Sequence, residues 1–495
     1  MAAREYSDRH GSPVDDGAPP PKRLRFASPV DDRDAASRSR SKGADGEILP
    51  HPLHIRPSGN ALTASYNLRD TSTGLFAILP DELVLQLLGY LDAQSLVQLG
   101  NTSKGIYGFC RSEELWRPLF IESPESSQAF KWQGTWRRTH LQLPSPQESQ
   151  IPLPNLFSDV LFRPYHMSQI SLSPYTRNIP PKNQIQTFTD ISADSFETHY
   201  SSTPFILTSP IKQWPGFQTW SLDHLVTEYG DIKFQAESVN WRLRDYVAYM
   251  NNQSDESPLY LFDKSFVEKT DMESGFSVPE WAGKDYFELL GEQRPDRRWM
   301  ILGPERSGST FHKDPNATSA WNAVIFGEKY WIMFPPNTPP PGVFVSDDQS
   351  EVTSPLSIAE WFVSFHKAAR KTPGCIEGIC RAGEILHVPS GWWHLVVNLD
   401  ASLALTQNFV PKKKLPAVLG FLRDQACSVS GFDTAKVQDP YGLFVERMRE
   451  TYPEELDAAM AILDKSKRSK WEELVKSDGG GGFSFGFGGD DSDDD

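Results

Sequence analysis

The chain has 495 residues, 38% hydrophobic, 12% aromatic and 23% charged, with a formal net charge of −16. It is too long for one compact core and fits two or three domains; the apolar fraction excludes wholesale disorder or a fibrous architecture, and the 39 prolines and 34 glycines lack a collagen-like period. No apolar run approaches the roughly 18 residues of a membrane helix, no apolar stretch follows the first charges, and four cysteines cannot form a disulfide framework. The expectation is a soluble protein of a reducing compartment inside the cell, without membrane contact. Net acidity argues against direct nucleic-acid binding, which needs clustered Lys and Arg, and suits a basic segment of a protein partner.

In chain order, residues 1–65 are rich in Ser, Pro, Asp, Arg and Gly and are expected to be disordered. Within them, Pro20-Pro21-Lys22-Arg23-Leu24-Arg25 is a basic cluster of the kind import receptors read, which points to the nucleus, alongside the cytoplasm. Residues 73–120 read as a small helical module. It opens with Leu79-Pro80-Asp81-Glu82-Leu83 and continues through Leu87, Leu88 and Leu91. Pro80, Asp81 and Glu82 suit a helix start, and Leu79, Leu83, Leu87 and Leu91 recur every four residues as one apolar stripe. Further helices are expected near Ser95–Leu99 and Ser112–Phe120, the latter with Leu115, Trp116 and Leu119. So small a module often completes its core against a partner helix. The stretch resembles the F-box in its leucine-proline opening, leucine-rich first helix and late tryptophan. That resemblance implies docking through Leu79, Pro80, Leu83 and Leu87 onto the Skp adaptor and cullin of a ubiquitin ligase.

Residues 121–184 read as a connecting segment, and 185–412 as a mainly β domain. Runs such as Phe205-Ile206-Leu207, Trp299-Met300-Ile301-Leu302, Ala323-Val324-Ile325-Phe326, Tyr330-Trp331-Ile332-Met333-Phe334 and Leu403-Ala404-Leu405-Thr406 are short, β-branched or aromatic, and separated by Pro and Gly. Such spacing argues for a sandwich or barrel. Helices return over 413–477, as Leu415–Cys427 and Glu454–Val475, and 478–495 is a Gly/Phe/Asp low-complexity tail.

The chemistry concentrates in two places. His312 and Asp314 lie in Gly308-Ser309-Thr310-Phe311-His312-Lys313-Asp314, and His394, 82 residues beyond His312, lies in Gly391-Trp392-Trp393-His394. On an extended segment residues i and i+2 point the same way, so His312 and Asp314 can converge on one ion, with His394 added from a distant strand. Two imidazoles and a carboxylate on one face of an octahedron form the facial triad of non-haem Fe(II) oxygenases, whereas zinc is more often given thiolates or a third His. A His-x-Asp pair alone is commonplace; its neighbours single this one out. Lys329 interrupts an apolar strand and needs an anion to meet it. Asn322, Thr406 and Asn408 are polar groups in apolar strands that also need partners, and a buried dicarboxylate would supply them.

These blocks, together with Ser-Pro-Leu-Tyr-Leu-Phe-Asp (257–263), Gly-Pro-Glu-Arg-Ser-Gly-Ser (303–309) and Ser-Ala-Trp-Asn (319–322), resemble the Jumonji-C domain of 2-oxoglutarate oxygenases. They are most similar to the phosphatidylserine-receptor-like subfamily of lysyl hydroxylases and arginine demethylases. The resemblance implies a multidomain α+β chain: the helical F-box module, then a double-stranded β-helix (a cupin-like jelly roll) with flanking and C-terminal helices. It implies Fe(II) on His312, Asp314 and His394, and 2-oxoglutarate and O2 as cosubstrates. Lys329 would pair with the distal carboxylate. Tyr260, Ser309, Asn322 and Thr406 would hydrogen-bond the cosubstrate, and Asn408 would support from behind. The implied reaction oxidises a C–H bond of a lysine or arginine side chain, as hydroxylation or N-demethylation. A rival reading makes the chain a ligase substrate receptor that uses the same fold mainly for recognition.

Other features carry less. Cys375 and Cys380 lack the second pair a zinc site needs and read as buried thiols. His387 reads as structural, Arg306-Ser307-Gly308-Ser309 lacks a phosphate loop's glycine-lysine ending, Trp392 and Trp393 read as packing, and Lys412-Lys413-Lys414 reads as a solvated helix start.

Overall fold

The computed structural model describes residues 49–477, apart from 145, 146, 149, 347–351 and 356. The import-type cluster at 20–25 and the tail from 478 lie outside the described residues. Order begins earlier than the expected boundary at 65. Leu53 and Ile55 are buried, and Arg56 bridges Phe157 in parallel, so apolar residues within a polar stretch tie the chain down.

Four short helices follow: α1 (Asp81–Leu88), α2 (Ala93–Gly100), α3 (Lys104–Cys110) and α4 (Glu113–Ile121). Asp92 and Ser103 cap α2 and α3 by accepting from Ser95 N and Ile106 N. The start of α1 is pinned from below by Arg69, whose guanidinium meets the Asp81 carboxylate and the carbonyls of Phe76 and Leu79. The expected leucine stripe meets the core only at its ends, Leu79 and Leu91. Val84, Leu85 and Leu88 are buried instead, while Leu83 and Leu87 remain 45% and 47% exposed. Helix α3 went unread because Gly105 and Gly108 resemble breakers. They are small for contact: a methyl group at Gly105 would strike the Ser72 carbonyl, and one at Gly108 would strike Leu156.

The segment 121–184 is no passive connection. Its short helix Trp136–His140 presents two backbone N–H groups to the buried Glu113 carboxylate of α4, at 2.6 and 3.1 Å. Trp132 donates to the Asn252 carbonyl (2.6 Å), and Trp136 Nε1 donates to Asp255 (3.1 Å). Arg117 of α4 is buried, donates to the Ser257 carbonyl at 3.1 Å and lies 3.6 Å from Asp255. Rings of Trp132, Trp136, Trp241 and Tyr249 form a chain of edge-on or tilted contacts with centroids no more than 6.1 Å apart. The helical module and the β domain therefore share one continuous core. Arg117→Ala would strand the Asp255 charge in that core and is expected to lower stability by about 3 kcal/mol, measured as a shift in the urea midpoint.

The strands are β1 (Gln186–Phe188), β2 (Phe205–Leu207), β3 (Lys233–Ala236), β4 (Val239–Arg242), β5 (Leu261–Asp263), β6 (Arg298–Gly303), β7 (Gly308–His312), β8 (Ser319–Phe326), β9 (Glu328–Phe334), β10 (Phe344–Val345), β11 (Val352–Thr353), β12 (Ile376–Arg381), β13 (Ile385–Val388), β14 (Trp393–Asn398) and β15 (Ser402–Phe409). Nine form one sheet in the order β1-β2-β13-β8-β15-β6-β5-β3-β4, and four form a second in the order β12-β9-β14-β7. Between the sheets Ile206, Val324, Met333, Leu386, Val396 and Ala404 pack into one interior, the two-sheet jelly roll expected of the cupin-like fold. Helix α5 (Ile358–Ala369) covers the outer face of the small sheet through Trp361 and Phe362.

Behind the barrel, α6 (Leu415–Asp424), α7 (Pro440–Thr451) and α8 (Pro453–Ser477) pack with Tyr286, Phe287 and Leu290. Helix α7 was not anticipated, although Asp439-Pro440 is a start signal and Asp439 accepts from Gly442 N. The Lys412-Lys413-Lys414 turn before α6 is solvated as expected, with Lys412 and Lys413 exposed, and Lys413 and Lys414 donate to the Thr198 carbonyl (2.5 Å) and the Ser202 hydroxyl (2.7 Å).

Candidate metal centre

Antiparallel pairing of β7 with β14 puts His312 opposite His394, with ring centroids 4.2 Å apart. Asp314 lies just past the end of β7, still extended before Pro315 turns the chain. Its Oδ1 is 4.0 Å from His394 Nε2, and one donor atom from each of the three residues falls within 4.8 Å of the others. Both rings are oriented by the backbone. His312 Nδ1 meets the Thr310 carbonyl at 2.7 Å, and His394 Nδ1 meets the Trp392 carbonyl at 3.0 Å. Because a carbonyl only accepts, each Nδ1 carries the proton and each Nε2 keeps a lone pair.

Electrostatics agree with a cation site. Burial lowers His394 to about 4, so its imidazole is neutral at neutral pH. Burial raises Asp314 to about 6, against the opposing pull of His312 and a hydrogen bond from Asn408. Asp314 Oδ2 is buried and has no hydrogen-bond partner among the described residues. A desolvated carboxylate oxygen beside two imidazole lone pairs fits a divalent cation, and the nitrogen–oxygen donor set fits Fe(II) better than a soft ion.

The three residues open onto a cavity of about 220 Å³ between the sheets, whose lining includes Tyr260, Ser309, Asn322, Thr406 and Asn408. Thr406 and Asn322 face each other in the β15–β8 register, and the Asn322 Oδ1 is another buried atom without a hydrogen-bond partner among the described residues. Thr406 Oγ1 donates to the Trp321 carbonyl (2.8 Å), and Asn408 Nδ2 to Thr318 Oγ1 (2.7 Å). Lys329 is fully buried and lies behind the cavity wall. Its ammonium donates to the Tyr260 hydroxyl (2.7 Å) and to Asn398 Oδ1 (2.8 Å), both neutral acceptors, and the Asp400 carboxylate acts on it without a direct contact. Burial lowers this amine to about 7. Such a cation, one hydroxyl away from an enclosed space, fits the far carboxylate of a small diacid.

Asn398 was missed in the sequence, although it is a polar residue ending the apolar run Leu395-Val396-Val397. The other features stay apart from the site. His387 is on β13, buried among Phe196, Phe205 and Trp281, with Nδ1 at 3.1 Å from the Thr203 carbonyl. It is structural and occupies a different strand from His394. Arg306 anchors the carbonyls of Met167 and Ile170, each at 2.5 Å, and Cys375 and Cys380 are buried free thiols. Trp393 packs beneath the small sheet, and Trp392 donates to the Ser202 carbonyl at 3.2 Å.

Comparison with known proteins agrees with this geometry. Residues 193–414 match the cupin-like domain family and residues 76–122 the F-box-like family. The chain is 37% identical over 435 residues to the arginine-specific demethylase JMJ22 of Arabidopsis thaliana, covering 85% of each protein. The chain belongs to the Jumonji-C, cupin-like family of iron- and 2-oxoglutarate-dependent oxygenases. Other members of the family match about half of the chain. The bifunctional arginine demethylase and lysyl-hydroxylase psr-1 of Caenorhabditis elegans is 32% identical over 261 residues, which is 49% of this chain and 65% of the relative. The 2-oxoglutarate and iron-dependent oxygenase JMJD4 of Homo sapiens is 27% identical over 257 residues, which is 46% of this chain and 60% of the relative.

Proposed function

We propose that this dioxygenase acts on lysine or arginine side chains of a protein substrate, by hydroxylation or N-demethylation, with Fe(II) held by His312, Asp314 and His394. The observation that carries the reading is the convergence of three donor atoms within 4.8 Å beside a cavity backed by a buried lysine. When bound, the metal with 2-oxoglutarate and O2 supplies C–H oxidation coupled to decarboxylation of the cosubstrate to succinate. The chain's own part is positional. Backbone carbonyls fix the two rings, Asn408 holds Asp314, and the charge of Lys329, relayed through the Tyr260 hydroxyl, orients the diacid. Asn322, Ser309 and Thr406 surround the remaining cosubstrate oxygens, and the apolar walls from Trp299, Ile301 and Val396 exclude water.

The basic character of the substrate is supported by the names of the arginine demethylase and lysyl-hydroxylase relatives and by the chain's net acidity. The test is mass spectrometry of lysine- and arginine-containing peptides, methylated and unmethylated, incubated with the enzyme. Gain of one oxygen or loss of one methylene, in step with succinate, supports the reading; turnover of neither peptide class overturns it.

For the helical module we propose adaptor docking. Supporting it are the exposed apolar side chains of Leu75, Ile78, Leu83, Leu87 and Tyr90, with exposures from 45% to 87%. Leu83→Asp with Leu87→Asp is expected to weaken Skp-type adaptor binding by about 2 kcal/mol or more per side chain. Thermal stability should change little, since both side chains are about half exposed. Pull-down and melting curves together check this. Import into the nucleus, motivated by Lys22-Arg23-Leu24-Arg25, is tested by imaging the chain with those basic residues replaced.

A further inference from the structure

Lys329 has the problem of every buried cation: something must hold it without cancelling it. Its direct neighbour across the β14–β9 register is Asn398, which is fully buried. The amide of Asn398 has one possible orientation. Ser307 Oγ donates to the Pro304 carbonyl (2.7 Å) and must therefore accept, from Asn398 Nδ2 at 3.0 Å; the Gly303 carbonyl accepts from the same Nδ2 at 3.3 Å. Two acceptors claim the NH2 end, so the carbonyl end faces the ammonium at 2.8 Å. The backbone locks the arrangement, since Asn398 N donates to the Ser307 carbonyl (2.8 Å) and Arg306 N donates to the Asn398 carbonyl (2.9 Å).

We propose that Asn398 is a positioning residue that holds Lys329 through a neutral acceptor, fixing the ammonium behind Tyr260 while leaving its whole charge for the cosubstrate's distal carboxylate. The inference rests on the proposed role of Lys329 toward 2-oxoglutarate. A carboxylate in the same place would bind the ammonium more strongly, close an internal ion pair in a dry interior, and leave an incoming diacid nothing to neutralise. An aliphatic side chain would leave the charge but free the amine to swing away from Tyr260. The Ser307 hydroxyl and the Gly303 carbonyl thus have a cosubstrate-binding role at second hand, by choosing which end of the amide Lys329 meets.

The experiment measures binding, not turnover: calorimetric titration of 2-oxoglutarate into the full chain loaded with Mn(II), for the wild type, N398D, N398A and S307A. Asn398→Asp is expected to weaken 2-oxoglutarate about tenfold or more and Mn(II) less than about twofold. It should also bind a 2-oxo acid with a distal carboxamide about as well as the wild type does, because that ligand needs no positive charge. Asn398→Ala and Ser307→Ala, which keep the charge but loosen its placement, are expected to weaken 2-oxoglutarate about three- to fivefold. An N398D variant that binds 2-oxoglutarate within twofold of the wild type overturns the proposal, as does equal weakening of the diacid and its amide. If N398D does not fold, S307A decides: unchanged 2-oxoglutarate affinity overturns the proposal. A wild type that binds no 2-oxoglutarate overturns the assignment of Lys329 itself, which separates the two failures.

Discussion

Asp314→Ala is expected to reduce succinate formation from 2-oxoglutarate to the level of a no-enzyme blank. The reason lies in what Asp314 alone contributes. The two imidazoles are neutral ligands, and Asp314 is the one anionic donor in the group. Without it a divalent cation keeps its full charge in a cavity walled by Trp299, Ile301, Trp331 and Val396, where desolvation is costly. The metal is lost as well as the turnover, so calorimetry with Mn(II) should show no binding at concentrations that saturate the wild type. Asn408→Ala provides the graded comparison. It removes the hydrogen bond that holds the carboxylate but leaves the ligand, and should lower metal affinity by about 10–100-fold. Unchanged metal binding in Asp314→Ala would refute the site. Retained protein stability distinguishes ligand loss from unfolding, and it is expected to rise slightly, because an unpartnered buried carboxylate oxygen is removed.

Lys329→Met is expected to move affinity and stability in opposite directions. Removing the buried ammonium takes away the charge that would meet a distal carboxylate, a loss of about 3 kcal/mol or roughly a hundredfold in 2-oxoglutarate affinity. The same change relieves the fold of a desolvated cation of similar shape, so the melting temperature should rise. A purely structural lysine would lower both. The wild type should show a matching pH signature. Burial sets the free amine to about 7, well below its ordinary 10.5, so the folded state binds fewer protons than the unfolded state between those values. Stability contributed here is therefore absent below about 7 and grows as the pH rises toward 10.5. Cosubstrate binding runs the other way. A dianion prefers the ammonium form, so affinity is highest below the amine's value and falls above it, by up to about tenfold per pH unit. Calorimetry from slightly acidic to alkaline pH checks the slope; Lys329→Met should flatten it.

The metal site was legible because its geometry is mostly local. His312 and Asp314 need only an extended backbone to point together, and His394 needed one strand pairing. Lys329, Asn322, Thr406 and Asn408 were legible as polar residues in strands otherwise apolar. Asn398 carried the same signal, but its partners Gly303 and Ser307 lie more than ninety residues earlier, and no spacing rule links them. Non-local packing explains the other departures. The Pro- and Ser-rich stretch 121–184 has the composition of a linker, yet Trp132, Trp136, Leu153 and Leu156 bury themselves against neighbours fixed only by the tertiary fold. In α1 periodicity identified the helix but not its inward face, because both Leu83 and Leu88 belong to apolar rows and the choice is made by α3 packing against it.

That shared packing has a mechanical consequence. Glu113, Arg117, Trp132 and Trp136 join the leucine-bearing helices to the helix carrying Tyr249 and the loop carrying Asp255. A molecule carried on the Leu83–Leu87 face thus keeps a fixed bearing and range from the mouth of the barrel, like a workpiece clamped to a lathe bed. Its reach is set by rigid geometry and not by tether length, so lengthening a flexible arm on the passenger, rather than on this chain, decides which of its side chains arrive.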